Sequence, residues 1–266
     1  MALARAAKVA CEVQHTEVEG ARVYVVTPSN TNTDHKRVFL DIHGGGFIMG
    51  SGECCRAMAI ATAARVGARV WSVDYRMPPD HPYPAGLDAC VATYRALLRN
   101  YRPEQIIVGG GSAGGNLAAA LILRVRDANL PLPAAALLLT PELDLTESGY
   151  TFRTNLGVDT LLTRSLMPAN LLYAAGHELA HPYVSPLFGD FKKGFPPTLL
   201  MSGTRDLFLS NTVRMHRALQ AAGVQAELHV LEAAPHGGFG GAPEDQDFER
   251  EVRRFVDAHW SSAAVN

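Results

Sequence analysis

The segment Ile106-Ile107-Val108-Gly109-Gly110-Gly111-Ser112-Ala113-Gly114-Gly115-Asn116 decides how this chain is read. It carries the pattern G-x-S-x-G as Gly110 to Gly114, set between a β-branched apolar run and the apolar stretch Leu117 to Val125. A strand, a sharp turn and a helix in that order hold a serine in a strained conformation, with its hydroxyl projecting above the sheet. Residues two before and two after the serine must be small, because the turn brings them into near contact; both are glycine. Ala113 opens the helix, so its N–H has no intrahelical acceptor and is free to stabilise an anion. The competing explanation of a Gly-rich turn is a phosphate loop, which wants a lysine near the helix start. The first basic residue after the turn is Arg124.

Outward from that turn, short apolar runs alternate with longer helical patterns. The sequence predicts strands at 12–18, 22–27, 38–42, 69–74, 105–108, 134–139, 198–201 and 226–231, and helices at 56–66, 85–99, 113–126, 211–222 and 244–259. Several strands are apolar on both faces, as central parallel strands are. The alternation predicts a mainly parallel sheet covered by helices on both sides. The first two strands are joined by a hairpin-length link and should form an antiparallel edge. From about 143 to 186 the rhythm breaks: a loop with Gly149 and Gly157 precedes an apolar stretch, 161–175, that reads as helical. An insertion above the C-terminal ends of parallel strands sits where ligands bind, so it reads as a cap over a site.

Composition narrows the rest. A chain of 266 residues, 47% hydrophobic and 19% charged, fits one α/β domain (1–266) with a single large core. A formal net charge of −2 with no run of Lys or Arg speaks against nucleic acid or an anionic membrane surface as partner. No apolar run reaches the roughly 18 residues a membrane helix needs. The four cysteines, Cys11, Cys54, Cys55 and Cys90, contain no C-x-x-C pair and read as free thiols. The Ala-rich start is broken by Arg5 and Lys8 and lacks the apolar core of a signal peptide, so the expectation is a cytoplasmic protein.

A serine hydroxyl needs a base, and the base needs a carboxylate to orient it. On this kind of sheet the chain order is Ser, then Asp or Glu, then His. Of the late histidines, His216 and His259 lie on helices and His229 lies in a strand; only His236 falls in a loop between the last strand and the last helix. Asp206 follows the preceding strand in Gly203-Thr204-Arg205-Asp206, with Asp144 as its rival after the strand at 134–139. His43-Gly44-Gly45-Gly46-Phe47 follows the strand at 38–42 and offers successive backbone N–H groups to an oxyanion, with Gly44, Gly45 and Ala113 as donors and Gly46 as a substitute for Gly44. Phe47, Ile48, Met49, Phe208 and Phe239 flank these motifs and are candidate pocket residues, with Phe152, Leu161, Leu162 and Met167 from the insertion.

Taken together, the chain resembles the hormone-sensitive-lipase family of α/β-hydrolases, in its bacterial carboxylesterase branch. The resemblance rests on the serine and glycine motifs, on Asp74-Tyr75-Arg76-Met77-Pro78-Pro79-Asp80-His81-Pro82-Tyr83-Pro84-Ala85, on Ser185-Pro186-Leu187, on Gly203 to Asp206 and on His236. It implies an α/β-hydrolase fold and a Ser112–His236–Asp206 triad hydrolysing short- to medium-chain esters with no cofactor. It also permits a homodimer through the last strand and helix. Three departures stand out. Gly111 replaces a frequent acidic residue, Gly237-Gly238 replaces a bulkier follower of the histidine, and the glycine motif begins at residue 43, leaving little N-terminal chain for the family's cap.

Rival chemistry is present in one place. His177-Glu178-Leu179-Ala180-His181 matches H-E-x-x-H, which on a helix would put two imidazoles on one face for zinc. Gly176 and Pro182 flank it, and no Glu recurs before Glu227 to supply a carboxylate ligand from a following helix, so a chance match is the reading. A lactone or amide hydrolase would use the same triad, and a non-catalytic binding protein would not need it.

Overall fold

The computed structural model describes residues 10–29 and 36–261. Eight strands form one sheet in the order β1-β2-β4-β3-β5-β6-β7-β8. They are β1 (Cys11–Val18), β2 (Ala21–Pro28), β3 (Val38–Ile42), β4 (Arg69–Asp74), β5 (Ile106–Gly111), β6 (Ala135–Leu139), β7 (Thr198–Gly203) and β8 (Ala226–Leu231). All eight expected strands are present. β1 and β2 pair antiparallel through a two-residue turn, Glu19 and Gly20, both with positive φ (48° and 79°), as a right-twisted hairpin prefers. β2 pairs antiparallel with β4, and from β4 to β8 every pairing is parallel.

The helices are α1 (Glu53–Val66), α2 (Ala85–Leu97), α3 (Ala113–Asp127), α4 (Thr151–Thr154), α5 (Met167–Ala174), α6 (Leu209–Ala221) and α7 (Asp245–Ser261). Two apolar cores follow from strand alternation. On β3, Val38, Leu40 and Ile42 face a core shared with α2, α3 and α6, while Phe39 faces a second core shared with α1 and α7. Ala113 to Leu123 are all buried, so α3 is wrapped on every side. Each fully buried Leu or Ile there contributes about 1.5–3 kcal/mol, which anchors the helix that begins directly after Ser112.

The segment between β6 and β7 differs from its expected form. The run 161–175 is helical only from Met167. Pro168 explains this: inside a longer helix its ring would clash with the carbonyl of Arg164, whereas in the first turn its fixed φ fits. Leu161 and Leu162 instead donate their N–H groups to the Asp159 carboxylate. Residues 1–9, on which the question of an N-terminal cap turns, lie outside the described residues. Among the described residues no helix is long and apolar enough to cross a membrane.

Candidate active site

β5 delivers Ser112 into a turn with φ 56° and ψ −125°, a conformation that costs a residue with a side chain about 1–3 kcal/mol. The surroundings hold it there. Its N–H donates to Leu139 O at 3.0 Å, and its carbonyl accepts from Asn116 N and Glu142 N, both at 3.2 Å. The two small residues are required: a Cβ on Gly110 would lie 2.6 Å from Gly114 C, and one on Gly114 would lie 1.9 Å from Ile42 O.

Asp206 sits in the turn after β7 and is wholly buried. His236 Nδ1 lies 3.0 Å from Asp206 Oδ1. Phe208 N donates to the same oxygen at 2.9 Å, and Ser202 Oγ donates to Oδ2 at 2.7 Å. The carboxylate is therefore fixed by three partners, and it orients the imidazole with Nδ1–H toward itself. In the neutral ring that geometry makes Nε2 the nitrogen that can accept a proton from a hydroxyl. The Phe208 ring stands edge-on to the imidazole, centroids 4.9 Å apart. The rival Asp144 is engaged elsewhere, with Arg214 Nη1 at 2.7 Å and with Thr146 and Ser148. Burial pushes its carboxyl up, but hydrogen bonds from Ser148, Thr146 and Arg214 outweigh this and hold it below the ordinary carboxylate value.

The glycine loop reaches the serine from β3. A Cβ on Gly44 would lie 3.2 Å from Ser112 Cβ, so that backbone passes directly beside the side chain. His43 fixes the loop from below. Its ring stacks on Tyr75 at 4.2 Å, its Nδ1 lies 2.8 Å from Gly44 O, and Tyr75 Oη donates to its carbonyl at 3.1 Å. Gly45 O accepts from Ile48 N and Met49 N, closing a turn. The N–H groups of Gly44, Gly45 and Ala113 have no acceptor among the described residues. Free amides beside a serine are what an oxyanion hole requires.

A cavity of about 1070 Å³ contains Ser112, His236 and Gly44 to Gly46. Of the pocket residues expected from sequence, Ile48, Met49, Leu161 and Leu162 line it. Phe47 and Phe208 are corrections. Phe47 has φ 64°, which turns its ring inward to stack on Tyr173 at 4.0 Å, and it is completely buried. Phe208 is also completely buried, wedged between Phe152 and His236 behind the imidazole. Phe239, half-buried, does not reach the cavity wall, where Gly237 and Gly240 stand instead; Phe152 and Met167 are likewise absent from it. The cavity runs past the serine between α1 and α7 to Phe39, Leu137, Met58 and Phe248.

One residue escaped the sequence reading. Asp159, in the insertion, is buried, and its carboxylate receives four backbone N–H groups: Leu161 at 2.9 Å, Leu162 at 3.1 Å, Leu207 at 2.9 Å and His236 at 3.3 Å. It joins the insertion to the loops carrying Asp206 and His236. Its signal in the sequence is only an aspartate two residues before Leu161, since its partners are amides of distant loops. The His177–His181 segment is no helix: Ala175 and Gly176 adopt positive φ and end α5 before it. His177 packs edge-on against Tyr83 and His181 against Tyr183.

Residues 39–239 match a family described by its alpha/beta hydrolase fold. An esterase of Acinetobacter venetianus is 36% identical over 197 residues, covering 73% of this chain and 65% of that protein. An acetyl-hydrolase of Streptomyces hygroscopicus is 36% identical over 192 residues, covering 71% of this chain and 62% of that one. The match thus spans a little under two thirds of these curated relatives' own length. One crystallised esterase superposes with a TM-score of 0.92 at 40% identity, covering 97% of this chain and 81% of that one. An esterase from the bacterial hormone-sensitive lipase family superposes with a TM-score of 0.86 at 32% identity, covering 94% and 84%. With its strained serine, its histidine–carboxylate pair and its glycine loop gathered around one cavity, the chain belongs to the hormone-sensitive-lipase family of α/β-hydrolases.

Proposed function

We propose that this chain is a carboxylesterase acting on short- to medium-chain esters through an acyl-enzyme on Ser112. The observation that carries the reading is the 3.0 Å contact between His236 Nδ1 and Asp206 Oδ1, in a cavity shared with a serine held at positive φ. His236 Nε2 takes the Ser112 proton as Oγ attacks the ester carbonyl. The carbonyl oxygen gathers charge against the amides of Gly44, Gly45 and Ala113, and each such donor lowers the barrier by about 3–4 kcal/mol. The tetrahedral intermediate then collapses, the bond to the leaving oxygen breaks, and His236 hands that oxygen its proton. Water, deprotonated by His236, attacks the acyl carbon; the bond to Ser112 Oγ then breaks, His236 returns the proton to that oxygen, and the acid leaves.

The small-molecule substrate class is supported by the relatives named esterase and acetyl-hydrolase and by an apolar cavity with room for an acyl chain. The segment 143–186 serves as the cap: Leu161, Leu162, Leu166 and Ala169 contribute to the cavity wall. Four unpaired cysteines suit a cytoplasmic location. A second copy would pair at the β8 edge, where Val230 is exposed.

The test is labelling with a fluorophosphonate, peptide mapping by mass spectrometry, and hydrolysis of p-nitrophenyl acetate with and without a chelator. The expected result is label on Ser112, with label and activity both lost in Ser112→Ala and no loss with chelator. An unlabelled, inactive protein would point to a binding role, and a panel of lactones and amides separates those bonds from open esters.

A further inference from the structure

β3 and β4 run parallel with Ile42 opposite Val73, so His43, just past the end of β3, and Asp74, the last residue of β4, emerge side by side. α1 begins above them and sets Cys55 in its first turn, facing inward. A ring nitrogen of His43, Sγ of Cys55 and a carboxylate oxygen of Asp74 all lie within 4.8 Å of one another. The imidazole is prepared as a ligand. Nδ1 donates to the Gly44 carbonyl, the outer-sphere contact metal-bound histidines usually make, which leaves the lone pair on Nε2. That Nε2 is buried and has no hydrogen-bond partner. Cys55 Sγ has only a 3.5 Å contact with Ser72 Oγ, and half-buried Asp74 spends Oδ1 on Gly52 N and opens toward solvent.

We propose that His43, Cys55 and Asp74 form a binding site for a thiophilic divalent cation such as Zn²⁺, and that its occupancy inhibits the enzyme through the oxyanion loop. One nitrogen, one sulfur and one carboxylate donor suit zinc, with a fourth position for water, and disfavour Mg²⁺ and Ca²⁺. Zinc bonds of roughly 2.0–2.3 Å put tetrahedral donors about 3.3–3.8 Å apart, so the three side chains must draw together. His43 is the residue next to Gly44, whose backbone lies against Ser112. Pulling the imidazole toward Cys55 therefore shifts the amides that receive the oxyanion. Binding replaces the thiol proton with a Zn–S bond and releases that proton to solvent.

The inhibitory half of this proposal rests on the esterase reading; the binding half does not. The test is titration of the metal-stripped protein with Co²⁺, following the sulfur-to-cobalt charge-transfer band, beside p-nitrophenyl acetate hydrolysis in graded Zn²⁺. One cobalt per chain is expected, with the band lost in Cys55→Ser, weakened in Asp74→Asn and kept in Cys54→Ser. Zn²⁺ should inhibit the native protein reversibly by chelator, and Cys55→Ser should need at least about tenfold more Zn²⁺ for the same inhibition. Circular dichroism checks that each variant is folded. No cobalt band, or a band that follows Cys54, would overturn the site. Equal zinc inhibition of native protein and Cys55→Ser would overturn the inhibitory role. A cobalt band in a protein that hydrolyses no ester would leave the site standing and remove the esterase reading instead.

Discussion

Two buried carboxyl groups, Asp159 and Glu142, contact the loops that carry His236 and Ser112, and the protein treats them in opposite ways. Asp159 receives four backbone N–H groups from three separate loops. Glu142, three residues past Leu139 at the end of β6, has no hydrogen-bond partner on either oxygen, although the Asn170 side chain is near. Burial pushes the Glu142 carboxyl up to about 8, against the pull of Asn170. Both residues touch the proposed triad through backbone: Asp159 through His236 N, Glu142 by donating its own N–H to Ser112 O. The difference teaches how the two sides of the site are held. On the histidine side, polar saturation fixes the loops. On the serine side, backbone hydrogen bonds with Leu139, Asn116 and Glu142 hold the turn, beside a buried carboxyl whose surroundings favour its neutral form.

The largest effect tests the saturated side at its centre. Asp206→Asn should lower kcat on p-nitrophenyl acetate by about 10⁴-fold, because the amide stabilises the wrong imidazole tautomer. Wild-type rates from that variant would mean Asp206 does not orient His236. Next comes Asp159→Asn, which replaces one acceptor oxygen by a donor facing backbone N–H groups. We expect about 1–3 kcal/mol of lost stability and a kcat about 10–100-fold lower, since small misplacements of a base are costly. A lowered melting temperature with unchanged kcat would reduce Asp159 to a structural clamp.

Glu142→Gln tests the unsaturated side. The folded-state pKa is raised above the unfolded value, so between about pH 4.5 and 8 the unfolded chain binds fewer protons at this site than the native one. Native stability should therefore fall as pH rises through that window, by at most about 1.4 kcal/mol per pH unit. Glutamine removes that slope, and thermal melts of both proteins at pH 6 and pH 8 read it directly. Parallel melting curves would contradict a neutral Glu142. The smallest effect is expected from Ile48→Ala at the cavity mouth: stability within about 0.5 kcal/mol of native and a raised KM for longer acyl chains.

Much of this was legible in the sequence because the relevant signals are local. Ile106 to Val108 and Ala135 to Leu138 are apolar on both faces, and only a doubly covered strand needs that. The order of Ser112, Asp206 and His236, each just past a strand, placed the triad candidates before any coordinates. Phe47 was misread for a physical reason: a single positive φ after the glycines turns the ring into the core, and sequence patterns do not carry φ. Asp159 stayed invisible because its partners are backbone amides up to 77 residues away. The false helical start at Leu161 came from counting apolar residues across Pro168.

β8 has one further consequence. Every residue of β7 is buried, whereas no residue of β8 is, and β8 is the last strand of the sheet. His236 is carried by the loop that follows this weakest parallel strand, while Ser112 and the glycine loop grow from the middle of the sheet. Exposed edges with few apolar contacts open first on warming. Heat should thus part His236 from Ser112 while the central sheet is still intact, so under the proposed mechanism inactivation would run ahead of unfolding. A stabilised variant selected on melting temperature alone would then gain nothing in working lifetime unless its changes lay along that edge.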